Sequence, residues 1–518
     1  MSDTHDKPSI QRRNLLKALA GIPIVGLFGT QLFRKLEYEK SSYIDWPKEL
    51  GLNFNTSEKS KKLVSSNKED VIRIGIVGWG GRAISLGYAL GYMHPESLDN
   101  RAKNGQHEDW LKQANLNVAI TGICDVFDER AEHGLATAKS DLHPDDFSSA
   151  GLKVKRFKHY HDMLNSSDID AVIIATPEHH HAQMVIDAVQ AGKNIYCEKS
   201  FTRTEQELYD AYDTVKNSNV VFQLGHQITQ SPIFHKAKEI INKNILGDIS
   251  LVETTTNRNT ASGAWIRHLD KNGNLRPGNL ESIDWEQWLG TRPKVPFSVD
   301  RYYNWTKWFD YSTGMLGQLF THEFDAVNQL LRMGIPKTVT ASGGIYFWKD
   351  NREIPDSLNV SFEYPDSNFT LLYSATLGNS RSRGRVFMGR DASMELGSTI
   401  KLAIDNNSKR FKKQIAAGKI VPGEYLESFD FGQEIDAVSS ATAKYYASRG
   451  LTTAKVGGVS VDLTYLHIKE WLDVIRNGGE TSANIERSFE EGVAVQMAQK
   501  AYIEKRQVRW DSIKRRIV

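Results

Sequence analysis

Hydrophobic and polar positions follow one pattern through the first half of the ordered-looking sequence. Short runs that are apolar on both faces alternate with segments of helical character, beginning with Val71–Val77. Such runs are expected of central strands in a parallel sheet, because helices cover both faces of that sheet. Residues 168–200 repeat the pattern as strand, turn, helix and strand. This half of the chain therefore predicts a doubly wound parallel α/β sheet.

The later part of the chain is richer in strand-like sequence. The segments ISLVETTTN, TVTASGGIYF, LNVSFEY and FTLLYSATL alternate apolar and polar residues or are rich in β-branched residues. This pattern is typical of strands whose sheet has one covered face. We expect a large, open mixed sheet with one face toward a substrate, and we assign no role to residues 380–460.

The N-terminal region has a different character. Arg12 and Arg13 precede an apolar run that starts near Leu15, which is the layout of a twin-arginine export signal. We assign residues 1–40 to this signal or anchor and residues 41–70, which are polar, to a linker. The expected location is the periplasm, with attachment to the inner membrane if the segment is not cleaved. The alternative is a chance arginine pair before a short hydrophobic anchor.

Composition restricts the class of partner. The chain has 518 residues, of which 40% are hydrophobic, and this is enough for two ordinary domains. Lys plus Arg number 65 against 63 Asp plus Glu, so no overall basic charge attracts nucleic acid or anionic lipid. Cys124 and Cys197 provide neither a disulfide framework nor a thiolate metal site. We expect a small-molecule partner.

A glycine motif follows the first predicted strand. Gly78, Gly80 and Ala83 form G-x-G-x-x-A, with Gly81 and Arg82 inside the motif. Glycines at these positions let backbone amides approach a pyrophosphate at a helix N-terminus. The motif stands between a strand and a helix, and it indicates a dinucleotide-binding Rossmann domain.

The second predicted strand ends at Asp125. A carboxylate at this place accepts hydrogen bonds from ribose hydroxyls and repels the 2′-phosphate of NADP, so we expect NAD, with NADP less favoured. The gap from the glycine motif is about twice the usual ~20 residues, which indicates an insertion around residues 93–110. The alternative for Asp125 is a solvated acid at a strand end.

A turn and three histidines follow a later strand. Thr176 and Pro177 form the turn, at the edge where open parallel sheets bind ligands. The adjacent histidines 179–181 point in different directions and no Cys or Asp cluster accompanies them, so we expect no metal site. We expect His181 to cap the following helix or to contact the nucleotide. Glu178 is equally well explained as a solvated residue.

Four segments, in this order, resemble the nucleotide-binding domain of the Gfo/Idh/MocA oxidoreductases: Gly78–Arg82, ICDVFDERA, ATPEHHHA and CEKS. The segment FDYSTGMLGQLFTHEFD resembles that family's G-G-x-L-x-D-x-G-x-H-x-x-D motif, and HIKEWLDVIRNGGE resembles its late helix. The likeness extends from about residue 71 to 510. It implies an α/β fold with a Rossmann domain over residues 71–200, then an α+β substrate-binding domain with a large open mixed sheet over residues 201–518. It also implies a homo-oligomer that pairs through the open face of the second sheet.

The resemblance gives a role to Glu198 and Lys199, which follow a predicted strand that ends at Cys197. In the family, the equivalent lysine of an E-K-P motif acts beside the substrate hydroxyl. Partial burial near a cationic nicotinamide would lower the proton affinity of this amine. Glu198 is expected to orient Lys199 or to contact the cofactor, and Ser200 stands where the family usually has proline. The alternative is a surface ion pair.

Gln318 and His322, four residues apart in a segment that should be helical, share a face. In the family an acid and a histidine occupy these places, and the histidine removes the hydroxyl proton as hydride leaves. His322 fits this pattern. Gln318 departs from it, because an amide cannot serve as a base, although it can donate a hydrogen bond to a sugar hydroxyl. If Gln318 is a weakened form of the acid, Gln318→Asp should raise activity. A packing role for His322 is the alternative, and Asp325 is expected to be structural or to lie behind the site.

Aromatic residues favour a carbohydrate substrate. The segments DWEQWLG and RYYNWTKWFDY concentrate Trp and Tyr, whose rings stack on the C–H faces of sugars. We expect Gln227, Arg267 and Trp308 to contact the substrate, with His268 and Lys307 as further candidates. Clusters of this kind are also common in protein cores.

Three functions remain open at this stage. The first is an NAD-dependent oxidoreductase acting on a secondary hydroxyl of a sugar or glycoside, in which His322 takes the proton and Lys199 stabilises the alkoxide. The second is a redox-neutral glycosidase or lyase that uses tightly bound NAD for transient oxidation, elimination and re-reduction. Export of a folded protein with its cofactor already bound would suit this second function. The third is a non-catalytic nucleotide- or sugar-binding protein in which Gln318 marks lost chemistry.

Overall fold

A computed structural model describes residues 49–52, 71–104, 111, 113–141, 152–270, 272–381, 383–430, 453–456 and 459–518. The chain divides into two compact units, Met1–Asn55 and Thr56–Val518, and only residues 49–52 of the first are described. The expected export signal, residues 1–40, lies outside the described residues, as does nearly all of the expected linker. Among the helices that the structure describes, none has the length and apolar character needed to cross a membrane.

The first sheet has six parallel strands in the order β3-β2-β1-β4-β5-β6. The strands are β1 (Ile72–Val77), β2 (Val118–Cys124), β3 (Lys155–Phe157), β4 (Ala171–Ile174), β5 (Asn194–Cys197) and β6 (Phe222–Leu224). Every residue of β2 and β4 is buried, because helices cover both faces. This strand order is that of a Rossmann fold, whose strand order reverses between β1 and β4.

Among the residues that the structure describes, six helices accompany this sheet along the chain. They are α1 (Gly81–Ala89), α2 (Pro95–Lys103), α3 (Asp128–Ala138), α4 (Tyr160–Leu164), α5 (His181–Gln190) and α6 (Glu205–Lys216). The segment expected as an insertion thus contains a helix, α2. Helix α6 begins at a capping box, in which the Thr204 side chain accepts from the Glu207 backbone and the Glu207 side chain accepts from the Thr204 backbone. This cap fixes where the chain turns back toward the sheet after β5.

The second sheet has ten strands in the order β14-β13-β12-β11-β7-β10-β9-β8-β17-β18. These are β7 (Ile249–Asn257), β8 (Thr338–Gly344), β9 (Ser357–Tyr364), β10 (Phe369–Thr376), β11 (Arg385–Gly389), β12 (Ala392–Leu396), β13 (Thr399–Ile404), β14 (Tyr425–Asp430), β17 (Val508–Asp511) and β18 (Arg516–Ile517). Strands β7 and β10 pair in parallel and the other pairings are antiparallel. The expected large mixed sheet is confirmed. A separate hairpin joins β15 (Thr453–Val456) to β16 (Val459–Asp462).

Alternate residues of β9 and β10 are buried, so one face of this sheet is covered and the other is not. The segment without an assigned role, residues 380–460, supplies strands β11 to β15. In its strands β11, β12 and β13, buried residues alternate with partly exposed ones, so these strands extend the sheet.

The described helices of the second half are α7 (Pro232–Asn242), α8 (Trp285–Leu289), α9 (Val299–Tyr303), α10 (Thr321–Leu331), α11 (Lys412–Ala416), α12 (Leu463–Asn477) and α13 (Ile485–Glu504). Short 3₁₀ turns cover Glu178–His180, Gln227–Gln230, Trp305–Lys307 and Pro365–Ser367. A π-helical segment, Leu316–Phe320, leads directly into α10. Such π segments are frequent at functional sites, and this one carries Gln318.

The parallel sheet and its core extend beyond residue 200, where we expected the nucleotide-binding domain to end. Strand β6 adds to the sheet 22 residues later. Helix α12 supplies Trp471 and Leu472 to the core that contains Ile74 and Ile76 of β1. A part of the chain far from the Rossmann strands therefore completes their hydrophobic core.

Candidate functional site

A cavity of about 1220 Å³ opens at the carboxyl ends of β1, β2, β4 and β5. It exceeds the usual size of a site for one drug-sized ligand, and it has room for a dinucleotide and a second small molecule. Thirteen of the residues expected from the sequence line it: Gly78, Gly80, Gly81, Arg82, Asp125, Thr176, Pro177, Glu198, Lys199, Gln227, Arg267, Gln318 and His322. The structure thus brings together residues that are up to 244 positions apart in the chain.

The glycine motif forms a turn between β1 and α1. Gly78 has a φ of +84°, and a Cβ there would lie 2.9 Å from the backbone of Ala175 and Thr176. Only glycine fits this position, because the ends of β1 and β4 approach so closely. At Gly81, a Cβ would meet nothing within 4 Å. The backbone at the start of α1 is therefore open to the cavity, as an anion-binding helix N-terminus requires.

Asp125, directly after β2, is only 7% exposed. Its carboxylate accepts hydrogen bonds from the backbone N–H groups of Trp79, at 2.5 Å, and of Phe127, at 2.8 Å. Burial raises the pKa of this carboxyl, although Arg130 opposes the change. Asp125 is therefore a buried residue that fixes the glycine turn and also lines the cavity, and it is not a solvated strand-end acid.

Arg130 is a cavity residue that sequence reasoning missed. Its guanidinium lies over the rings of Tyr302 and Tyr303, 5.0 and 5.4 Å from their centroids. A Cβ at Gly80 would lie 3.8 Å from its Nη1. Arg130 stands on α3, five residues after Asp125 at the end of β2, and this spacing was the only sign in the sequence that it could reach the cavity. Arg130 brings a positive charge to the part of the cavity that contains the glycine turn.

Glu198, which is 6% exposed, pairs with Arg82 on α1, with 2.6 Å between its Oε1 and Nε of the arginine. A Cβ at Gly225 would lie 2.8 Å from the same Oε1. The glycine after β6 thus leaves the space that this carboxylate occupies. Glu198 fixes Arg82 against the start of α1, and both residues line the cavity.

Lys199 reaches across to the π-helical segment. Its Nζ donates to the side-chain Oε1 of Gln318 at 3.0 Å and to the backbone oxygen of the same residue at 3.3 Å. Burial lowers the pKa of Lys199 to about 8, and Arg258 and Arg267 act in the same direction, against Glu198. The amine therefore changes protonation state close to neutral pH.

The sequence-based view of Glu178 as a solvated residue is wrong, because its side chain is fully buried. The carboxylate accepts from Ser312 Oγ at 3.0 Å, from Thr313 N and Oγ1 at 3.0 and 2.5 Å, and from Gln318 Nε2 at 3.2 Å. Burial raises the pKa of Glu178 to about 7, although the four hydrogen bonds oppose this. The side-chain amide of Gln318 thus connects Glu178 to Lys199.

His322 lies in the first turn of α10 and is 7% exposed. Burial lowers its pKa well below the usual value, and the positive charges of Lys199 and His226 add to this effect. Its imidazole is therefore neutral near neutral pH and able to accept a proton.

A buried ion pair lies behind this imidazole. The ring of His226 packs edge-on against His322, with 5.4 Å between centroids, and its Nε2 lies 2.8 Å from Glu491 Oε2. Burial alone would lower the pKa of His226, but Glu491 and Asp325 raise it to about 9. Asp325 is 3% exposed and is absent from the cavity lining, which fits its expected structural place behind the site.

His181 has a different place from the one we expected. It provides no side-chain cap to α5 and does not line the cavity. Its Nδ1 lies 2.6 Å from the carbonyl oxygen of Ser200, and its Nε2 lies 2.9 Å from that of Thr176. The residue joins the loops that follow β4 and β5. Across the described residues, no group of three or more His, Cys, Asp or Glu side chains is arranged to hold a metal ion.

Trp308 was expected to contact the substrate, but it lies in a buried aromatic cluster and does not line the cavity. The guanidinium of Arg301 covers its ring at 4.9 Å. In the same cluster, the carbonyl oxygen of Trp288 lies 2.8 Å from Nε2 of both His179 and His180. These aromatic residues form a second core, because packing between short helices and loops buries their rings. The residues of the cluster are Phe127, Ile283, Trp285, Trp288, Leu289, Tyr302, Tyr303, Trp308 and Tyr311.

The other expected substrate contacts divide into two groups. Gln227 and Arg267 line the cavity, and Gln227 is held there by donating to the hydroxyl of Tyr196 at 2.8 Å. His268 and Lys307 instead face Asp300, at 3.3 and 3.4 Å, and do not line the cavity. Of the expected substrate contacts, Gln227 and Arg267 therefore offer polar groups inside the cavity, together with the residues around Lys199.

Comparison with known proteins agrees with this architecture. Residues 72–226 match the model of the Gfo/Idh/MocA oxidoreductase family, described as having an NAD-binding Rossmann fold. Levoglucosan dehydrogenase of Pseudarthrobacter phenanthrenivorans is 31% identical over 185 residues, which are 36% of this chain and 41% of that protein. Alpha-N-acetylgalactosaminidase of Shewanella oneidensis is 26% identical over 280 residues, which are 52% of this chain and 53% of that protein. The chain thus spans about half the length of these curated relatives, or less.

A solved structure of levoglucosan dehydrogenase, in complex with NADH and levoglucosan, has the same fold. It covers 85% of this chain and 99% of its own, with a TM-score of 0.56 and 17% identity. The likeness includes both sheets, whereas the family model covers only the nucleotide-binding part. Residues 72–226 are thus similar in sequence to the Gfo/Idh/MocA oxidoreductases, whose family model is described as an NAD-binding Rossmann fold.

Proposed function

We propose that the protein is an NAD-dependent oxidoreductase that acts on a secondary hydroxyl of a sugar or glycoside. The observation that carries this proposal is the convergence of Lys199 and His322 on one cavity whose other end is formed by the glycine turn and Asp125. An amine with a pKa near 8 and a neutral imidazole are the groups that removal of a hydroxyl proton requires.

The residues present fit a dinucleotide. The close approach at Gly78 leaves no room for a side chain, and the start of α1 is open to the cavity. When bound, NAD supplies a hydride acceptor. The buried carboxylate of Asp125 favours NAD over NADP, because a 2′-phosphate beside it would be repelled. Arg82, held by Glu198, lines the same cavity and would offer a positive charge to a bound dinucleotide.

The chain's own residues would handle the proton. His322 would accept the hydroxyl proton, since its imidazole is neutral and largely buried. Lys199 would donate a hydrogen bond to the developing alkoxide, which stabilises negative charge most strongly in a desolvated site. Gln227 and Arg267 would bind neighbouring hydroxyls and so select which carbon faces the cofactor.

We also propose a second candidate function, a redox-neutral glycosidase or lyase in which the sugar undergoes no net oxidation. The supporting observation is the match to an alpha-N-acetylgalactosaminidase, which extends over 280 residues, compared with 185 residues for levoglucosan dehydrogenase. The same residues would serve, because this reaction also requires removal of a hydroxyl proton.

One experiment tests both candidates. The purified protein is denatured to identify any bound nucleotide by mass spectrometry, and a panel of sugars and aryl glycosides is then followed for NADH and for released aglycone. NADH formation supports the oxidoreductase, whereas aglycone release without NADH supports the redox-neutral enzyme. Lys199→Ala should abolish either activity. Lys193→Ala is the matched control, because Lys193 is a partly buried lysine that donates to two backbone carbonyls outside the cavity. Normal turnover by Lys199→Ala would overturn the assignment.

We further propose that residues 1–40 direct export by the twin-arginine route to the periplasm. The support is the Arg12–Arg13 pair before an apolar run. Replacing both arginines with lysine should leave the protein in the cytoplasm, as measured by cell fractionation. Periplasmic protein from this variant would contradict the proposal.

We propose that the protein is a homo-oligomer that pairs through the uncovered face of the second sheet. The alternate residues of β9 and β10 that are not buried, which are exposed at Asn359 and Glu363, provide a surface for such pairing. Light scattering coupled to size-exclusion chromatography should give a multiple of the 58.4 kDa chain mass. A monomer at micromolar concentration would refute this.

A further inference from the structure

The amide of Gln318 lies between a buried carboxylate and the amine of Lys199. We propose that Glu178 is a positioning residue that controls the orientation and charge of Lys199 through the side-chain amide of Gln318. The inference rests on the proposed function for its catalytic consequence, but its structural content concerns only residues of this chain.

The hydrogen bonds allow one orientation of the amide. Gln318 Nε2 is 3.2 Å from Glu178 Oε2, and Gln318 Oε1 is 3.0 Å from Lys199 Nζ. An ammonium needs an acceptor and a carboxylate needs a donor, so the NH₂ group must face Glu178 and the oxygen must face Lys199. A carboxylate bonded to the NH₂ group polarises the amide, which makes its oxygen a better acceptor for the lysine.

Three separate elements are built around this contact. Glu178 begins the 3₁₀ turn after β4, Lys199 follows β5, and Gln318 lies in the π-helical segment. A Cβ at Gly317 would lie 2.1 Å from Thr313 Oγ1 and 2.8 Å from the Ser200 Cβ. Glycine at 317 therefore permits the close approach that brings Gln318 between the two strand-end loops.

The electrostatic surroundings explain why an amide stands at position 318. Lys199 and Arg203 are the positive charges that act on Glu178. Lys199 is itself faced by Glu198, Arg258, Arg267, His226, His322 and Glu491. A carboxylate at 318 would lie about 3 Å from that of Glu178, and two buried carboxylates at such a distance cannot both be ionised. The acid that the family pattern places at 318 is therefore supplied here from 178, one hydrogen bond further from the lysine.

The test compares Glu178→Gln, Gln318→Glu and the double variant that exchanges the two groups. Lys199 is acylated in the substrate-free protein with an amine-directed reagent at several pH values, and the modified peptide is quantified by mass spectrometry. Glu178 favours the charged lysine, so its removal should increase the neutral fraction and raise acylation at pH 7 about fivefold. The double variant places a carboxylate directly on Lys199 and should reduce acylation to the wild-type level or below it.

Activity supplies a second readout if a substrate is found. Glu178→Gln should lower kcat about tenfold with little change in KM, because it alters the reacting amine and not substrate binding. The double variant should recover most of this loss. It should also move the lysine-dependent limb of the pH profile back toward the wild-type position, which a merely structural role would not do.

Glu470→Gln is the matched control. Glu470 also accepts from a serine hydroxyl, a backbone N–H and a glutamine amide, at 2.7, 3.0 and 2.9 Å, but it does not line the cavity. In the Glu470→Gln variant, acylation of Lys199 should equal that of the wild type at each pH. If Glu178→Gln fails to fold, Gln318→Met removes the connecting amide and should give the same rise in acylation.

A folded Glu178→Gln or Gln318→Met protein with wild-type acylation would overturn the proposal, as would a double variant that behaves like Glu178→Gln. Because acylation needs neither substrate nor cofactor, these results are independent of whether the protein oxidises a sugar. If the protein oxidises no sugar but acylation of Lys199 changes as expected, the positioning role of Glu178 would still be supported.

Discussion

Replacing Lys199 with methionine should stabilise the protein while it removes activity. Burial lowers the pKa of Lys199 from 10.5 to about 8. Each tenfold change in proton affinity corresponds to about 1.4 kcal/mol, so charging this amine at pH 7 costs the folded state roughly 3 kcal/mol. Methionine has a similar length and no charge, but it loses the hydrogen bond to Gln318, which is worth about 1 kcal/mol. We expect a net gain of about 2 kcal/mol in the free energy of unfolding.

The gain should depend on pH in a defined direction. Because the pKa of Lys199 is lower in the folded state, the unfolded chain binds more protons between pH 8 and pH 10.5. The wild type therefore gains stability as the pH rises through this range. The advantage of the methionine variant is complete below pH 8 and disappears as the pH approaches 10.5.

Urea unfolding measured by tryptophan fluorescence at pH 7 and pH 9.5 would test this, since the chain has 11 Trp residues. Lys216→Met is the control, because Lys216 is an exposed lysine that pairs with Glu486 at the surface, and it should show no such gain. A Lys199→Met variant that is less stable than the wild type at pH 7 would refute the reasoning. A gain of equal size at both pH values would also refute it, because it would arise from packing and not from the buried charge.

Three further changes test other parts of the site. Gly225→Ala should weaken NAD binding roughly tenfold, because the added Cβ displaces the Glu198 carboxylate that holds Arg82. Calorimetry would measure this, and an unchanged Kd would show that NAD binding does not need the ion pair. Asp125→Asn keeps a hydrogen-bond acceptor and removes the negative charge, so the affinity for NADP relative to NAD should rise about tenfold. An unchanged ratio of the two affinities would show that this carboxylate does not discriminate between the cofactors. His322→Asn should lower kcat by about 100-fold or more. Because burial lowers the pKa of this imidazole, the rate of the Glu178→Gln variant, which lacks the titrating Glu178 carboxyl, should show no acidic limb near pH 6.5, and a limb there would contradict the assignment.

Four of the predicted site residues that line the cavity stand at the ends of strands. Gly78, Asp125, Thr176 and Lys199 each follow a short apolar run, and the carboxyl ends of parallel strands meet at one edge of a sheet. Local pattern was therefore sufficient to bring them to one cavity. The same logic explains why the Rossmann order of the first sheet could be expected before any contact was known.

The errors concern features that depend on distant parts of the chain. Glu178 stands beside a strand end like the others, but it is buried by Ser312 and Thr313, more than 130 residues later. Trp308 belongs to an aromatic-rich segment that suits a substrate contact and a core equally well, and it is buried in a cluster that includes Phe127, far earlier in the chain. Strand β6 has three residues, which is too short to establish a period. The contacts that bury Glu178 and place Phe127 in the cluster of Trp308 have no local trace in the sequence.

Gln318 shows how such a distant partner changes the meaning of a motif. Taken alone, an amide in place of an acid suggests lost chemistry, and Gln318→Asp would be expected to restore it. The structure places a carboxylate behind the amide, 3.2 Å from its nitrogen, so the site retains an acid near Lys199 without one at position 318. A second carboxylate added there would compete with Glu178 for the same donors and would drive one of the two to bind a proton. The single change should therefore lower activity, and an acid at 318 should be tolerated only when position 178 has lost its own.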